Sequence, residues 1–218
     1  MGQDKLTLSL RGQPVILHTL WALERCPEIS EIVVVTREDM IVPLSQLCGD
    51  AGLTKLTRLV RGGPTRTRSV QLGVQEVSDR AELIAVQDGA RPLAPQWMLS
   101  EVIQKAALCS AAAPALPVKD TIKRAADGVV LETPERSQLY AVQTPQVFQA
   151  DLLRAALQSA IEDGAAITDD CSAVERLGMK VTLTRGAEEN IKLTTPADLA
   201  VAEALLEWRE KNEDRAGV

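Results

Sequence analysis

Short runs of β-branched and small apolar residues alternate with longer stretches of helical periodicity along most of the chain. That rhythm restricts the possible folds more than any other feature of the sequence. Glu31-Ile-Val-Val-Val-Thr36, Leu56-Thr-Arg-Leu-Val60, Leu83-Ile-Ala-Val-Gln87 and the small-residue run from Ala112 to Val118 read as strands. Pro14 to Cys26, Arg66 to Val77 and Pro95 to Cys109 read as helices, and a helical or irregular stretch leads from the first strand to Gly52. In the first helix Val15, Leu17, Leu20, Trp21 and Leu23 fall near helical spacing. A strand that needs a helix before the next strand implies an α/β fold, with a mainly parallel sheet and helices on both faces.

The rhythm stops after Val118. Residues 120–143 contain short β-type pieces around Asp127-Gly128, a hairpin-turn dipeptide, with charged residues and Thr on both sides. A protruding β-arm is the expectation, of the kind that exchanges with a partner subunit. The alternation then resumes with helices over Ala150–Asp163 and Asp170–Leu177, a strand over Lys180–Thr184 and an amphipathic helix over Pro196–Lys211. Asn212 to Val218 reads as a frayed tail. At 218 residues the whole chain, 1–218, suits a single domain with the arm appended.

Composition then removes several function classes. The 24 Lys and Arg against 30 Asp and Glu leave a net charge of −6, which argues against broad nucleic-acid or anionic-membrane binding. Aromatics at 2% are too few to build a stacking platform for single strands. No apolar run approaches the length of a bilayer crossing, and no secretory leader pattern opens the chain. The one histidine, His18, lies inside an apolar helical pattern, so histidine-rich metal sites and paired-histidine mechanisms are excluded. Cys26, Cys48, Cys109 and Cys171 are scattered without a C-x-x-C and read as free thiols of a cytoplasmic protein.

Four segments remain that can do chemistry. Lys5, ahead of a turn and helix, can reach phosphate oxygens, although a lysine so near a terminus is commonly just solvated. Arg61-Gly-Gly-Pro-Thr-Arg-Thr-Arg-Ser69 joins a strand to a helix. Its glycines let backbone N–H groups approach an anion at a helix N-terminus, while the ordinary alternative is a βα turn with solvated arginines. Val86-Gln-Asp-Gly-Ala-Arg-Pro92 places Asp88 at a strand's carboxyl end, where open α/β sheets bind ligands. There Asp88 could hold Mg²⁺ on a nucleotide phosphate or merely cap a turn. The last group comprises Lys123, Arg136, Thr144-Pro-Gln146, Ile167-Thr-Asp-Asp170 and Asn190-Ile-Lys-Leu-Thr-Thr-Pro196. Thr168-Asp169-Asp170 suits a helix N-terminus, and Lys192 is either an anion ligand or a surface lysine.

Taken in order, these segments resemble the 2-C-methyl-D-erythritol 4-phosphate cytidylyltransferase family. The matching elements are Met1-Gly with Lys5, Gly62-Gly63-x-x-Arg66-x-x-Ser69-Val70, Asp88-Gly-Ala-Arg-Pro92, Pro117-Val-Lys-Asp-Thr-Ile-Lys-Arg124, Thr144-Pro-Gln146, Gly164-Ala-Ala-Ile-Thr-Asp-Asp170 and Asn190-Ile-Lys192. Each is weak alone; the ordered set is specific. The resemblance implies a Rossmann-like nucleotide-binding fold whose β-arm builds a homodimer. It also implies transfer of a cytidylyl group from CTP to a polyol phosphate, with release of pyrophosphate. Phosphate charge would be stabilised by Mg²⁺ and basic side chains, so neither histidine nor a covalent nucleophile is required.

By the same resemblance, Lys5 is the catalytic lysine. Gly62, Gly63, Arg66, Ser69, Asp88 and Gly89 bind CTP, with Asp88 also the metal ligand. Arg91, Thr121, Arg136, Thr144, Thr168 and Lys192 lie on the acceptor side, Arg136 acting across the dimer. Two alternatives stay open at this point: a cytidylyltransferase for another polyol phosphate such as ribitol 5-phosphate, and an inactive dimeric protein of the same fold.

The chain departs from the family pattern at its start. The family opens with a strand and a Gly-rich phosphate loop ending in Arg, before the position of Met1. A start placed too late, a shortened chain and a loss of catalysis are the competing expectations. On any of them the chain is expected to be short by roughly 15–20 residues, a strand of about 5–6 plus its loop. The chain is then expected to bind CTP poorly and to lack one strand of its central sheet. Pro64 also removes a backbone donor from the glycine turn.

Overall fold

The computed structural model describes residues 5–216. A small hairpin of β1 (Ser9–Leu10) and β2 (Gln13–Pro14) turns through Arg11 and Gly12, at φ of 52° and 77°, and feeds α1 (Val15–Arg25). Then follow β3 (Ile32–Thr36), α2 (Ile41–Asp50), β4 (Leu56–Arg61), α3 (Arg66–Gln75), β5 (Leu83–Val86), α4 (Gln96–Cys109) and β6 (Ala111–Pro117). The arm contributes β7 (Arg124–Ala126), β8 (Val129–Glu132) and β9 (Tyr140–Val142). The chain ends with β10 (Gln146–Gln149), α5 (Ala150–Glu162), α6 (Asp170–Arg176), β11 (Thr182–Arg185) and α7 (Pro196–Ala216). The last helix therefore continues through residues expected to fray.

The main sheet runs in the order β11-β6-β10-β5, with β9 pairing the far end of β6. β6 and β11 are parallel, as are β3 and β4 in a separate pair. Between β5 and β6 lies β10, antiparallel to both, with Phe148 opposite Ile84 on one side and Ala111 on the other. Sequence patterning missed β10, because four residues directly before a helix give too little alternation to register. Helices cover both faces as expected, and the central strand is built from small residues because they approach closely on each side. Ala111 and Ala113 face α5 and α6 with Phe148, Leu153, Leu157 and Val174, whereas Ala112 and Val147 face Val102 and Ala106 of α4. This is the two-residue alternation of a strand buried on both faces.

The sheet is not continuous. Among the described residues no ladder joins the β3–β4 pair to β5, and an apolar cleft of about 390 Å³ lies between them. The arm stands clear of the core. Every residue of β7, β8 and β9 is exposed, including Val129, Val130 and Leu131, and Asp127 and Gly128 form its tip with φ of 50° and 77°.

Two outcomes follow from this packing. Phe148, fully buried at the junction of β5, β6 and α5, is expected to cost about 3–5 kcal/mol when replaced by Ala, read as a lower urea midpoint at unchanged slope. At the start of α7, the Asp198 carboxylate accepts hydrogen bonds from the Thr194 and Thr195 backbone N–H groups, each at 2.7 Å. These bonds hold its pKa down at about 2. Its contribution is therefore present above the ordinary Asp range near 4 and lost as pH falls from about 4 toward 2. Acid titration of Asp198→Ala should lack that component; an unchanged profile would remove Asp198 from the account.

Candidate active site

The carboxyl ends of β4 and β5 bring together the charged residues singled out in the sequence. Asp88 lies two residues past the end of β5, and three cations surround its carboxylate. Lys192 Nζ lies 2.8 Å away, Arg91 Nε 3.6 Å and the Arg66 guanidinium 4.0 Å. With Arg66 matched by Asp170, Lys192 and Arg91 outnumber Asp88, an arrangement that suits an anionic phosphate.

Each of these groups is fixed by backbone contacts made deep in the core. The Asp88 N–H donates to Thr144 Oγ1 at 3.0 Å, and the buried Thr144 offers its own carbonyl to Asn190 Nδ2 at 2.9 Å. Arg91 donates to the Asn190 carbonyl at 2.6 Å, and the Leu193 N–H donates to the Ala90 carbonyl at 2.8 Å. Lys192 thus projects from a segment pinned on both sides, by fully buried Asn190 and by Leu193. Gln143 adds a two-way clasp to Ala187, donating to its carbonyl and accepting from its N–H. Of the four buried side-chain polar atoms without a hydrogen-bond partner among the described residues, three belong to this region: Gln87 Oε1, Asn190 Oδ1 and Arg91 Nε, the last of which has only its 3.6 Å ionic contact with Asp88. Burial lowers the Arg91 pKa, against the pull of Asp88.

Arg66, the first residue of α3, reaches across to Asp170 at the start of α6. Two parallel hydrogen bonds of 3.1 and 2.7 Å join guanidinium and carboxylate. The Asp170 side chain is fully buried, so burial pushes its pKa up while Arg66 opposes the rise. Gln146 on β10 sets this pair in place. Its Oε1 accepts from the Asp170 and Cys171 N–H groups, both at 3.0 Å, and its Nε2 donates to Asp169 at 2.8 Å. Asp170, Asn190, Gln143 and Gln146 are site-building residues whose roles the sequence reading missed. Gln146, Asp170 and Asn190 fell inside the motif segments, but the groups they contact lie far away in sequence; Gln143 carried no signal of its own.

The glycine turn does something different from what its sequence suggested. The Gly62 N–H donates to the Thr36 carbonyl at 2.8 Å and the Gly63 N–H to Ser69 Oγ at 3.0 Å, so neither is free to cradle an anion. The glycines are required by crowding instead. A Cβ on Gly63 would lie 2.5 Å from Arg68 Cγ, and one on Gly62 would lie 3.0 Å from Ser69 Oγ. Ser69 closes this turn, and Thr65 caps α3 by accepting from the Arg68 N–H. Gly89 is also held close, its carbonyl accepting from Thr19 Oγ1 at 2.7 Å.

The remaining predicted residues lie away from the cluster. Thr121 and Arg136 belong to the exposed arm segment, where Arg136 donates to the Lys119 carbonyl at 2.8 Å. No hydrogen bond or ion pair among the described residues joins either to Asp88. Thr168 is exposed just before α6, whose cap is Asp169 in a reciprocal box with Ser172. The Lys5 side chain lies outside the described residues. His18 is structural, with Nε2 at 2.8 Å from the Leu10 carbonyl and its ring edge-on to Trp21. The four cysteines are free, and burial raises the pKa of Cys26, Cys48 and Cys171. No helix among the described residues is long and apolar enough to cross a membrane.

Removing one partner of the buried pair strands the other charge. Asp170→Ala is expected to cost about 3 kcal/mol, because Arg66 can partly turn to solvent. The double variant Arg66→Met with Asp170→Leu should recover most of that loss in chemical denaturation. Equal losses for the single and double variants would mean that the pair itself does not set the cost.

The family model for 2-C-methyl-D-erythritol 4-phosphate cytidylyltransferase matches residues 1–208. An enzyme of that name from Symbiobacterium thermophilum is 46% identical over 207 residues, covering 94% of this chain and 86% of its own. The crystal structure of the Thermus thermophilus enzyme of the same name superimposes with a TM-score of 0.80 at 32% identity, covering 93% and 94% of the two chains. The structure of 4-diphosphocytidyl-2C-methyl-D-erythritol synthase from Anaerococcus prevotii gives a TM-score of 0.85 at 30% identity, covering 91% of this chain and 88% of that one. With the family model matched over residues 1–208 and a relative 46% identical over 94% of its length, the chain belongs to the 2-C-methyl-D-erythritol 4-phosphate cytidylyltransferase family.

Proposed function

We propose that the chain transfers a cytidylyl group from CTP to 2-C-methyl-D-erythritol 4-phosphate, giving 4-diphosphocytidyl-2-C-methyl-D-erythritol and pyrophosphate in isoprenoid precursor synthesis. The observation that carries this reading is the ring of Lys192, Arg91 and Arg66 around Asp88 at the carboxyl ends of the strands. An acceptor phosphate oxygen attacks the α-phosphorus of CTP, and the bond to the departing pyrophosphate breaks. Fixed cations lower the barrier by facing the charge that builds on the phosphates, and they need no reorganisation to do so.

Lys192 and Arg91 hold the acceptor phosphate, the first from a rigid segment and the second from within the wall of the site. Arg66 keeps both hydrogen bonds to Asp170 and adds fixed positive charge on the nucleotide side, while Gly62, Gly63 and Ser69 shape that wall. Thr144 sets the height of Asp88, while Thr168, exposed just before α6, keeps its acceptor-side assignment from the family pattern alone. Lys5 is assigned the transition-state role from the family pattern.

Magnesium fits this site in one mode. Among the described residues no group of three or more His, Cys, Asp or Glu could hold a metal ion. Asp170 is committed to Arg66, which leaves Asp88 as a single carboxylate. Mg²⁺ commonly binds through one or two carboxylates together with substrate phosphates, and Asp88 would hold it in that way. The ion would supply further neutralisation of phosphate charge.

A homodimer built through the arm is part of this reading. Val129, Val130 and Leu131 are more than half exposed, and a hollow of about 940 Å³ beside the arm's root is lined by Trp97, Leu116, Pro117 and Tyr140. Both suit burial against a second copy, which would bring Arg136 of the arm to a neighbouring site. Free buried thiols suit a cytoplasmic, reducing compartment.

Pyrophosphate release from CTP, measured with 2-C-methyl-D-erythritol 4-phosphate and separately with ribitol 5-phosphate, tests the assignment. Release with the first supports it; release with ribitol phosphate alone, or with neither, overturns it. Where turnover is measurable, Lys192→Ala should raise the acceptor KM about tenfold or more, as expected for losing a hydrogen bond between charged groups. An unchanged acceptor KM would take Lys192 out of the phosphate site.

A further inference from the structure

The last helix packs against both segments that carry the cations of the acceptor side. Leu199, Ala202, Leu205 and Leu206 of α7 share one apolar cluster with Leu93, two residues after Arg91, and with Ile191 and Leu193, which flank Lys192. Leu93 and Leu193 are both buried, so the two segments meet in a dry interior that α7 helps to close. The Leu193 N–H joins them there by its hydrogen bond to the Ala90 carbonyl.

Apolar packing is non-directional and does not by itself set the spacing of two segments. Late in α7, Arg209 adds a directional contact. Its Nη2 donates to the Leu93 carbonyl at 2.5 Å, and the same nitrogen lies 3.1 Å from the carboxylate of Glu189, the residue before Asn190. One guanidinium nitrogen thus bridges the 88–93 loop and the 189–192 segment. The Arg209 and Glu189 side chains are only 25% and 28% exposed, against 67% and 55% for Lys211 and Glu207 on the same helix. A pair withdrawn from solvent in this way is screened less than a surface pair.

We infer that Arg209 is a positioning residue for the acceptor phosphate: from the C-terminal helix it locks the segment bearing Arg91 to the segment bearing Lys192 and so fixes the spacing of the two cations. The inference rests on the proposed role of Arg91 and Lys192 in holding that phosphate. Arg91 already donates to the Asn190 carbonyl, so the two cations move together only while the segments stay in register. A displacement of about 1 Å between them is enough to spoil a two-point grip.

The test compares the full chain with Arg209→Gln, Arg209→Lys and, as a control on the same helix, Lys211→Gln. Amide hydrogen exchange at Arg91 and Leu193 reads the coupling of the segments, and pyrophosphate release gives KM for acceptor and for CTP. Arg209→Gln should speed exchange at those amides about tenfold and leave β6 unchanged. It should raise the acceptor KM about fivefold or more, with the CTP KM unchanged. Arg209→Lys should restore most of both effects, because one ammonium nitrogen can replace the single bridging nitrogen. Lys211→Gln should alter neither. Unchanged exchange at Leu193, exchange sped equally in β6, equal rises in both KM values, or no rescue by lysine would each overturn the inference. If the wild-type chain turns over no acceptor, the proposed reaction fails by itself, and the exchange pattern still upholds or overturns the bridge.

Discussion

The Asp170 carboxyl group has no access to water, and Arg66 meets it with two parallel hydrogen bonds that oppose the upward push of burial on its pKa. An isolated carboxylate in that position would take up a proton rather than remain desolvated, and an unpaired guanidinium would leave the wall for solvent. The pair therefore ties α3 to α6 and fixes the side of the cleft on which the Gly62–Ser69 turn is built. Gln146 extends this constraint to the sheet, since one side-chain amide fixes the first turn of α6 to β10.

A second set of contacts holds the opposite side. Thr144, Asn190 and Gln143 use backbone groups to join the end of β5, the strand β10 and the segment before α7. Lys192 and Arg91 are in this way aimed at Asp88 by parts of the chain about one hundred residues apart. Placing the cations on rigid segments matters for phosphate chemistry. Charge that is already in position stabilises a transition state without paying for rearrangement at the moment of reaction.

Much of the fold was legible because helix and strand periodicities are local properties. The helices α1, α3, α4 and α5 and the strands β3 to β6 fall within a few residues of the positions expected from patterning. The arm was legible from Asp127-Gly128 and the change in composition around it. β10 was not, because its four residues follow a proline and run straight into a helix. Its pairing with β5 and β6 depends on partners far away in sequence. The glycine turn gives the opposite lesson. Gly62 and Gly63 were singled out as phosphate-binding, but their N–H groups go to Thr36 and Ser69, and glycine is favoured there by crowding from Arg68 and Ser69.

The order of motifs by itself determined the family, and the alternation of apolar runs determined an α/β fold, because both are written along the chain and need no knowledge of long-range contacts. Which charges meet was decided only by the tertiary structure. Arg66 could have been a free phosphate ligand, and Asp170 a solvated cap, until folding brought them within hydrogen-bonding distance in a buried position. The open edges of β3 and β5 were decided in the same way. Sequence marks both as strands, while only the assembled structure shows, among the described residues, an apolar cleft lying between them. The physical reason is common to both cases. Periodicity and turn chemistry act over a few residues, whereas the pairing of charges and strand edges depends on groups brought together by the packing of the whole domain.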